Sequence, residues 1–188
     1  RKSNRIFMID LNIDNELIEP SFDRIAKELL TDKALFVNDK IIRFTEIEFY
    51  YFHADLHADI YTHAHERNAG EWRFHTQGID ITLQHTEGLS DGGILIRGIL
   101  IDGKYINGPR KVLTSIFKEL GKVTASTSVV LRNAEKRKYP IIKTFRHLPN
   151  KIVNKDYHGK FYRYLIELDS LIIPPKVKEE IRKNSIEL

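Results

Sequence analysis

The sequence predicts an α+β fold: one domain on a mainly antiparallel curved sheet, with a protruding hairpin and a few packed helices. Three observations carry that prediction. Short runs rich in Val, Ile, Leu and Phe, at residues 34–37, 41–51 and 94–101, are bounded by turn residues. Two other stretches, residues 21–30 and 109–120, repeat their apolar side chains at helical spacing. No Pro-, Gly- or Ser-rich linker divides the 188 residues, a length that can bury one core.

In chain order, residues 5–11 form an apolar run suited to a strand or a packed arm. Pro20-Ser21 opens a helix, with Ser21 as N-cap, Asp23 near the positive end of the dipole, and Phe22, Ile25, Ala26, Leu29 and Leu30 on one side. Thr31-Asp32 ends it. Residues 34–37 and 41–51 then make a hairpin across Asn38-Asp39. In a regular strand, Ile42, Phe44, Glu46, Glu48 and Tyr50 share one face. Residues 52–68 have no clean period and read as a loop carrying a short helix.

Residues 72–75 and 79–84 flank Thr76-Gln77-Gly78 as a second hairpin. The strand at 94–101 is interrupted by Arg97. Asn107-Gly108-Pro109 starts a helix with Val112, Leu113, Ile116, Phe117 and Leu120 as its stripe and Gly121 as its end. Residues 123–131 read as a strand, 134–140 as a basic loop, 161–168 as a last strand, and 174–188 as a C-terminal helix.

The formal net charge of +4 hides an asymmetry. Residues 1–90 hold 10 Lys and Arg against 16 Asp and Glu, whereas residues 91–188 hold 20 against 10, leaving −6 and +10. A basic half beside an acidic, aromatic one suits a polyanion held by one region while chemistry happens in the other; the alternative is a solvated charged surface. The absence of cysteine removes disulfide and thiolate chemistry and fits a reducing compartment. No apolar run approaches membrane-spanning length, so a soluble, cytoplasmic protein without a membrane partner is expected.

Six of the eight histidines (His53, His57, His63, His65, His75, His85) fall in the same window as Glu46, Glu48, Tyr50, Tyr51, Trp72 and Phe74. Neighbouring carboxylates resist double ionisation, which makes Glu46 and Glu48 an acid/base candidate; otherwise they are the solvent side of an edge strand. Arg97 in an apolar strand either points to solvent or is buried against a carboxylate or phosphate. His53 and His57 have the helical spacing of metal ligands, with Asp55, Asp59, His63 and His65 nearby, yet no metal signature is completed and no metal is expected. The aromatic rings suit either a core or base stacking.

The order of these motifs resembles the alkyladenine (3-methyladenine) DNA glycosylase family. Glu46-Ile47-Glu48-Phe49-Tyr50 is similar to its E-x-E-x-Y strand, Asp59 to His63 to its D-x-x-x-H, and Arg67-Asn68 to its Arg-Asn. Phe74 through Gly78 matches an aromatic, hairpin and glycine, Gly93 to Arg97 an apolar strand ending in arginine, and Gly108-Pro109-Arg110-Lys111-Val112 a Gly-Pro-x-Lys-Leu helix start. Counting a helix-to-strand entry at 25–37 and echoes at Phe145-Arg146 and residues 159–163, the likeness spans about residues 20–168. The chain departs from the family at Phe74, where tyrosine is usual, at Gln77, where an aromatic wedge is usual, and in a shorter segment before Phe74.

The resemblance implies a formyltransferase C-terminal-like fold and a monomeric N-glycosylase of base excision repair, with no cofactor. Glu48, with Glu46 as the competing candidate, would activate water for attack at C1′ of a flipped, damaged purine nucleotide, and Arg97 would hold Glu48 or a phosphate. Tyr50, His63, Phe74 and Gln84 would contact the base. Gln77, Arg110, Lys111, Lys136, Arg137, Lys138 and Arg146 would contact DNA, with RNA or single-stranded nucleic acid as alternatives. The rivals are a non-catalytic nucleic-acid-binding module on the same fold and a histidine-liganded metal hydrolase.

Overall fold

The computed structural model describes residues 8–188. The apolar run at 5–11 lies partly outside them, and residues 8–11 form neither helix nor strand, although Leu11 reaches the core. Helix α1 (Ile18–Lys27) begins earlier than Ser21, with Glu19 and Pro20 in its first turn. Ser21 therefore does not cap it. Its hydroxyl donates back to the Leu17 carbonyl at 2.9 Å and accepts the Asp14 amide at 3.0 Å. A wider π-type turn over Glu28–Asp32 leads into the sheet.

The strands are β1 (Lys33–Val37), β2 (Lys40–His53), β3 (Trp72–His75), β4 (Gly78–Thr82), β5 (Ser90–Ile101), β6 (Lys104–Asn107), β7 (Val129–Asn133), β8 (Ile142–Thr144), β9 (Arg163–Leu165) and β10 (Ser185–Glu187). They form one sheet in the order β10-β8-β9-β2-β5-β4-β3, with β1 and β7 beyond one end of β2 and β6 beside β5. The pairings of the described strands are antiparallel. Among the described residues four α-helices, α1, α2 (Pro109–Lys118), α3 (Lys155–His158) and α4 (Pro175–Lys183), complete an α+β domain.

Several expected boundaries move. The strand at 123–131 is β7, starting at Val129; the one at 161–168 shrinks to β9; and the C-terminal helix stops at Lys183 before β10. The histidine segment holds turns and no helix. Among the described residues no helix is long and apolar enough to cross a membrane.

The central pair β2–β5 sets the chemistry of both sheet faces. Phe44 pairs with Ile99, Glu46 with Gly98, and Ile47 with Ile96, so Thr45 is an extra residue in β2 and Arg97 an extra residue in β5. Each bulge swaps the face on which every later side chain lies. Ile42 and Phe44 therefore share the core with Ile47, Phe49 and Tyr51, across from Ile94, Ile96, Ile99 and Ile101. Glu46, Glu48 and Tyr50 go to the other face. The expectation that Ile42 and Phe44 lie beside the two glutamates is corrected by that single unpaired residue.

On the core face, α1 lays Phe22 on the Phe49 ring (centroids 4.6 Å apart), with Tyr162 edge-on at 5.0 Å, and α2 adds Val112 and Ile116. A smaller cluster of Leu165, Leu168, Leu171 and Ile181 seats α4 on the other side of β9. Gly98 is required where the bulges meet. A Cβ there would stand 2.6 Å from Thr45 Oγ1 and 2.8 Å from Asn107 Nδ2.

Candidate functional site

The bulges aim Glu46, Glu48, Tyr50 and Arg97 at the same side of the sheet. Glu46 is buried against two arginines: its Oε1 accepts from Arg163 Nε at 2.7 Å and Arg97 Nε at 3.2 Å, while Oε2 accepts from Asn107 Nδ2 at 3.3 Å. Glu48, 0 % exposed, accepts the His147 amide on Oε1 at 2.6 Å and the Tyr50 hydroxyl on Oε2 at 2.8 Å, with Arg97 Nε 3.6 Å from Oε1. Arg97 thus bridges both carboxylates. Burial works against its charge, but Glu48 and then Glu46 outweigh burial and raise its pKa. Burial, then the Glu48 charge, pushes the Tyr50 phenol well above its usual value, so it stays protonated and donates.

Above this floor opens a cleft of about 1000 Å³, ample for a nucleotide-sized ligand. Tyr50, Arg97 and Leu95 stand at its base. The first turn of α2 supplies Pro109, Arg110 and Lys111 to the wall, the loops after β2 supply Tyr61 and His63, and the loop after β8 supplies His147, Leu148 and Val153. Arg110 Nε donates to the Thr76 carbonyl at 3.0 Å, which ties the β3–β4 turn to α2. Gly78 permits that contact, since a Cβ would meet Pro109 Cβ at 2.9 Å.

Of the expected site residues, Tyr50, His63, Gln77, Arg97, Arg110 and Lys111 line this one cleft, and Glu48 and Glu46 lie directly behind Tyr50 and Arg97. Phe74 does not join them. It sits on the opposite face of β3, 53 % exposed and edge-on to Phe117 at 5.3 Å, because strand alternation presents Arg73 and His75 to the cleft instead. Gln84, past the end of β4, donates to the His85 carbonyl and lies outside the cleft.

Two expected phosphate contacts are also corrected. Arg137 turns inward, donating to the Leu30 and Phe44 carbonyls and to Glu167. Burial, then Arg43, pulls its pKa down to about 10. Arg146 forms a two-pronged pair with Asp59 (2.6 and 3.2 Å), both side chains 0 % exposed, beneath the rings of Tyr50, Tyr162 and Tyr61. Lys136 and Lys138 are exposed but stand apart from the cleft lining, Lys136 being 3.5 Å from Asp32.

The histidines are scattered. His57 is held by the Tyr51 carbonyl (2.7 Å) and the Tyr162 hydroxyl (2.9 Å), His65 by the Gly92 carbonyl, and His85 by Asp91. Among the described residues no three His, Asp or Glu side chains gather as a metal site.

Sequence reasoning missed Asp80, which accepts from Arg73 Nη1 at 3.0 Å and lies 3.1 Å from His75 Nε2 on the cleft wall. The signal existed: a carboxylate between Ile79 and Ile81 is as anomalous as Arg97 between isoleucines. Arg163 in its aromatic run is a third case. Comparison with protein families, curated proteins and solved structures finds nothing that matches this chain.

Proposed function

We propose that this protein is a DNA N-glycosylase-like hydrolase acting on a damaged purine nucleotide extruded into the cleft. The observation that carries this reading is a cleft floored by Tyr50 and Arg97, both of which meet the buried Glu48 behind them, with a rim that is cationic at Arg110 and Lys111. On this reading the seal over Glu48 opens when substrate binds, and water reaches its Oε1 between Arg97 and His147, the two cleft residues beside it. Glu48 takes a proton from that water as its oxygen bonds to C1′. The C1′–N bond breaks with its electron pair leaving on the base, which collects the proton, and the carboxylate stabilises the oxocarbenium-like transition state.

Tyr50, Tyr61 and His63 offer surfaces for the flipped base, and Arg110, Lys111 and the first-turn amides of α2 face its phosphates. This chemistry uses the chain's own residues and no cofactor. On this reading the protein acts as a cytoplasmic monomer in base excision repair, with RNA or single-stranded nucleic acid as the alternative partner.

The test is single-turnover base release from oligonucleotides carrying alkylated purines. Glu48→Gln should slow release by about 10²–10⁴-fold while leaving affinity for abasic duplex unchanged. Full activity in Glu48→Gln, with loss in Glu46→Gln, would move the base to Glu46. A second reading, a non-catalytic nucleic-acid-binding module, is favoured by one feature: Glu48 is sealed, with a partner on each oxygen. Saturable binding without release of any base would select it.

A further inference from the structure

A paired base leaves a duplex at a cost of a few kcal/mol in unstacking and unpairing, and proteins frequently offset it by inserting an apolar wedge into the stack. The β3–β4 turn offers Gln77, whose amide replaces stacking poorly. The cleft has a second lip. The stretch from His147 to Lys155 holds Leu148, Pro149, Ile152 and Val153 together with Lys151 and Lys155, and no carboxylate. Ile152 and Val153 are 58 % and 59 % exposed, adjacent in sequence, and Val153 lines the cleft that Gln77 lines.

Two large aliphatic side chains standing in water at a cleft mouth need an explanation, because the backbone that carries them is fastened. The Tyr61 hydroxyl accepts the amides of Val153 and Asn154, each at 3.1 Å. Asn154 Oδ1 in turn accepts the Asp156 and Tyr157 amides at the start of α3. The Leu148 end is fixed by its amide donating to the Arg146 carbonyl at 3.1 Å, and Arg146 is locked to Asp59. A held, apolar tip flanked by exposed lysines is complementary to a base stack between two phosphate chains.

We infer that Ile152 and Val153 form the wedge that enters the duplex, the role the β3–β4 turn would otherwise fill. The inference rests on the nucleic-acid reading of the cleft. Lys151 and Lys155 hold the flanking phosphates, the aliphatic pair fills the gap left by the departing nucleotide, and Gln77 meets the opposite strand or the base edge. The wedge is a positioning element and touches no reacting atom.

The experiment uses the full chain and a duplex with 2-aminopurine next to a tetrahydrofuran abasic analogue, so that unstacking is read by fluorescence without any base release. Affinity is followed separately by anisotropy of a labelled strand. Ile152→Ser/Val153→Ser should lower the fluorescence rise at saturation by about tenfold, and Ile152→Phe should restore or exceed it in the Val153→Ser background. Ile186→Ser, the same change at an exposed isoleucine away from the cleft, should leave the rise unchanged. Because both residues face water, circular dichroism of the variants should match the parent chain. A rise that survives in the double serine variant overturns the wedge assignment while leaving the cleft reading intact. No binding of the parent chain to any duplex overturns both.

Discussion

Two arginine–carboxylate clusters lie on either side of Tyr50 and use the same residue types to opposite ends. Arg146 and Asp59 are fully enclosed, doubly hydrogen-bonded and roofed by three tyrosine rings. Arg97 and Arg163 meet Glu46 and Glu48 with nearly the same burial, yet Arg97 forms part of a cleft floor. What differs is the roof. Where rings close over an ion pair, its charges answer only to each other; where a cleft opens above it, they can answer to a ligand. Tyr50 serves both, offering its ring to Arg146 and its hydroxyl to Glu48.

The largest effect should come from breaking the closed cluster. Arg146→Met leaves Asp59 buried without a counter-charge and should cost about 3–5 kcal/mol in denaturant unfolding. Adding Asp59→Leu should recover much of that loss, and a double variant as unstable as the single one would show that Arg146 acts mainly through its tyrosine contacts. Arg97→Met should cost less, about 1–3 kcal/mol, because Glu46 keeps Arg163 and Asn107 and Glu48 keeps the His147 amide and the Tyr50 hydroxyl. Its larger consequence should be lost base release. Equal stability costs at the two sites would erase the distinction.

A pH series sharpens the contrast from the closed side. Burial first of all lowers the pKa of His57 from its ordinary 6.5, despite the Tyr51 carbonyl and Asp59, with Arg146 adding to the fall. The unfolded chain therefore binds a proton more readily than the folded one. Stability contributed by neutral His57 is complete above about pH 6.5 and declines as pH falls from there toward the folded value. Urea midpoints between pH 7.5 and 5 should drop less for His57→Gln than for the parent chain, and parallel curves would place the acid sensitivity elsewhere.

The smallest effect is expected at the open rim. Lys111→Ala should reduce the slope of log affinity against log salt by about 0.9 for duplex DNA, one phosphate contact. Lys136→Ala, away from the cleft, should leave the slope where it is. The reverse result would move the polyanion track off the cleft and onto the basic loop.

Much of the fold could be read from residues alone, since turns and strands announce themselves locally. Asn38-Asp39 marked the β1–β2 turn, with Asn38 at φ 53°, and Pro109 marked the first position of α2. The partnership of Glu46, Glu48 and Arg97 could be anticipated because charged groups in apolar strands need one another. The faces could not. Nothing in Phe44-Thr45-Glu46 declares that Thr45 goes unpaired, and that depends on where β5 inserts Arg97. The interior roles of Arg137 and Arg146 were equally hidden, because a basic residue beside a basic loop looks the same whether its guanidinium meets solvent or a carbonyl 93 residues away in sequence.

The paired bulges at Thr45 and Arg97 also constrain how this chain can change over time. Each is the residue its strand carries in excess, so deleting Thr45 would join Phe44 to Glu46 in regular alternation and leave Glu46 and Glu48 on the cleft face with Ile47 and Phe49 in the core. Deleting Arg97 would likewise keep the faces of its strand but remove a counter-charge shared by both carboxylates. Adding a residue is the damaging change: one more between Phe44 and Glu48 would turn the carboxylates into the isoleucine layer unless a second bulge absorbed it. Descendants of this sequence should therefore shorten β2 at its bulge more readily than they lengthen it, while the loops around the cleft grow, shrink or trade residues freely.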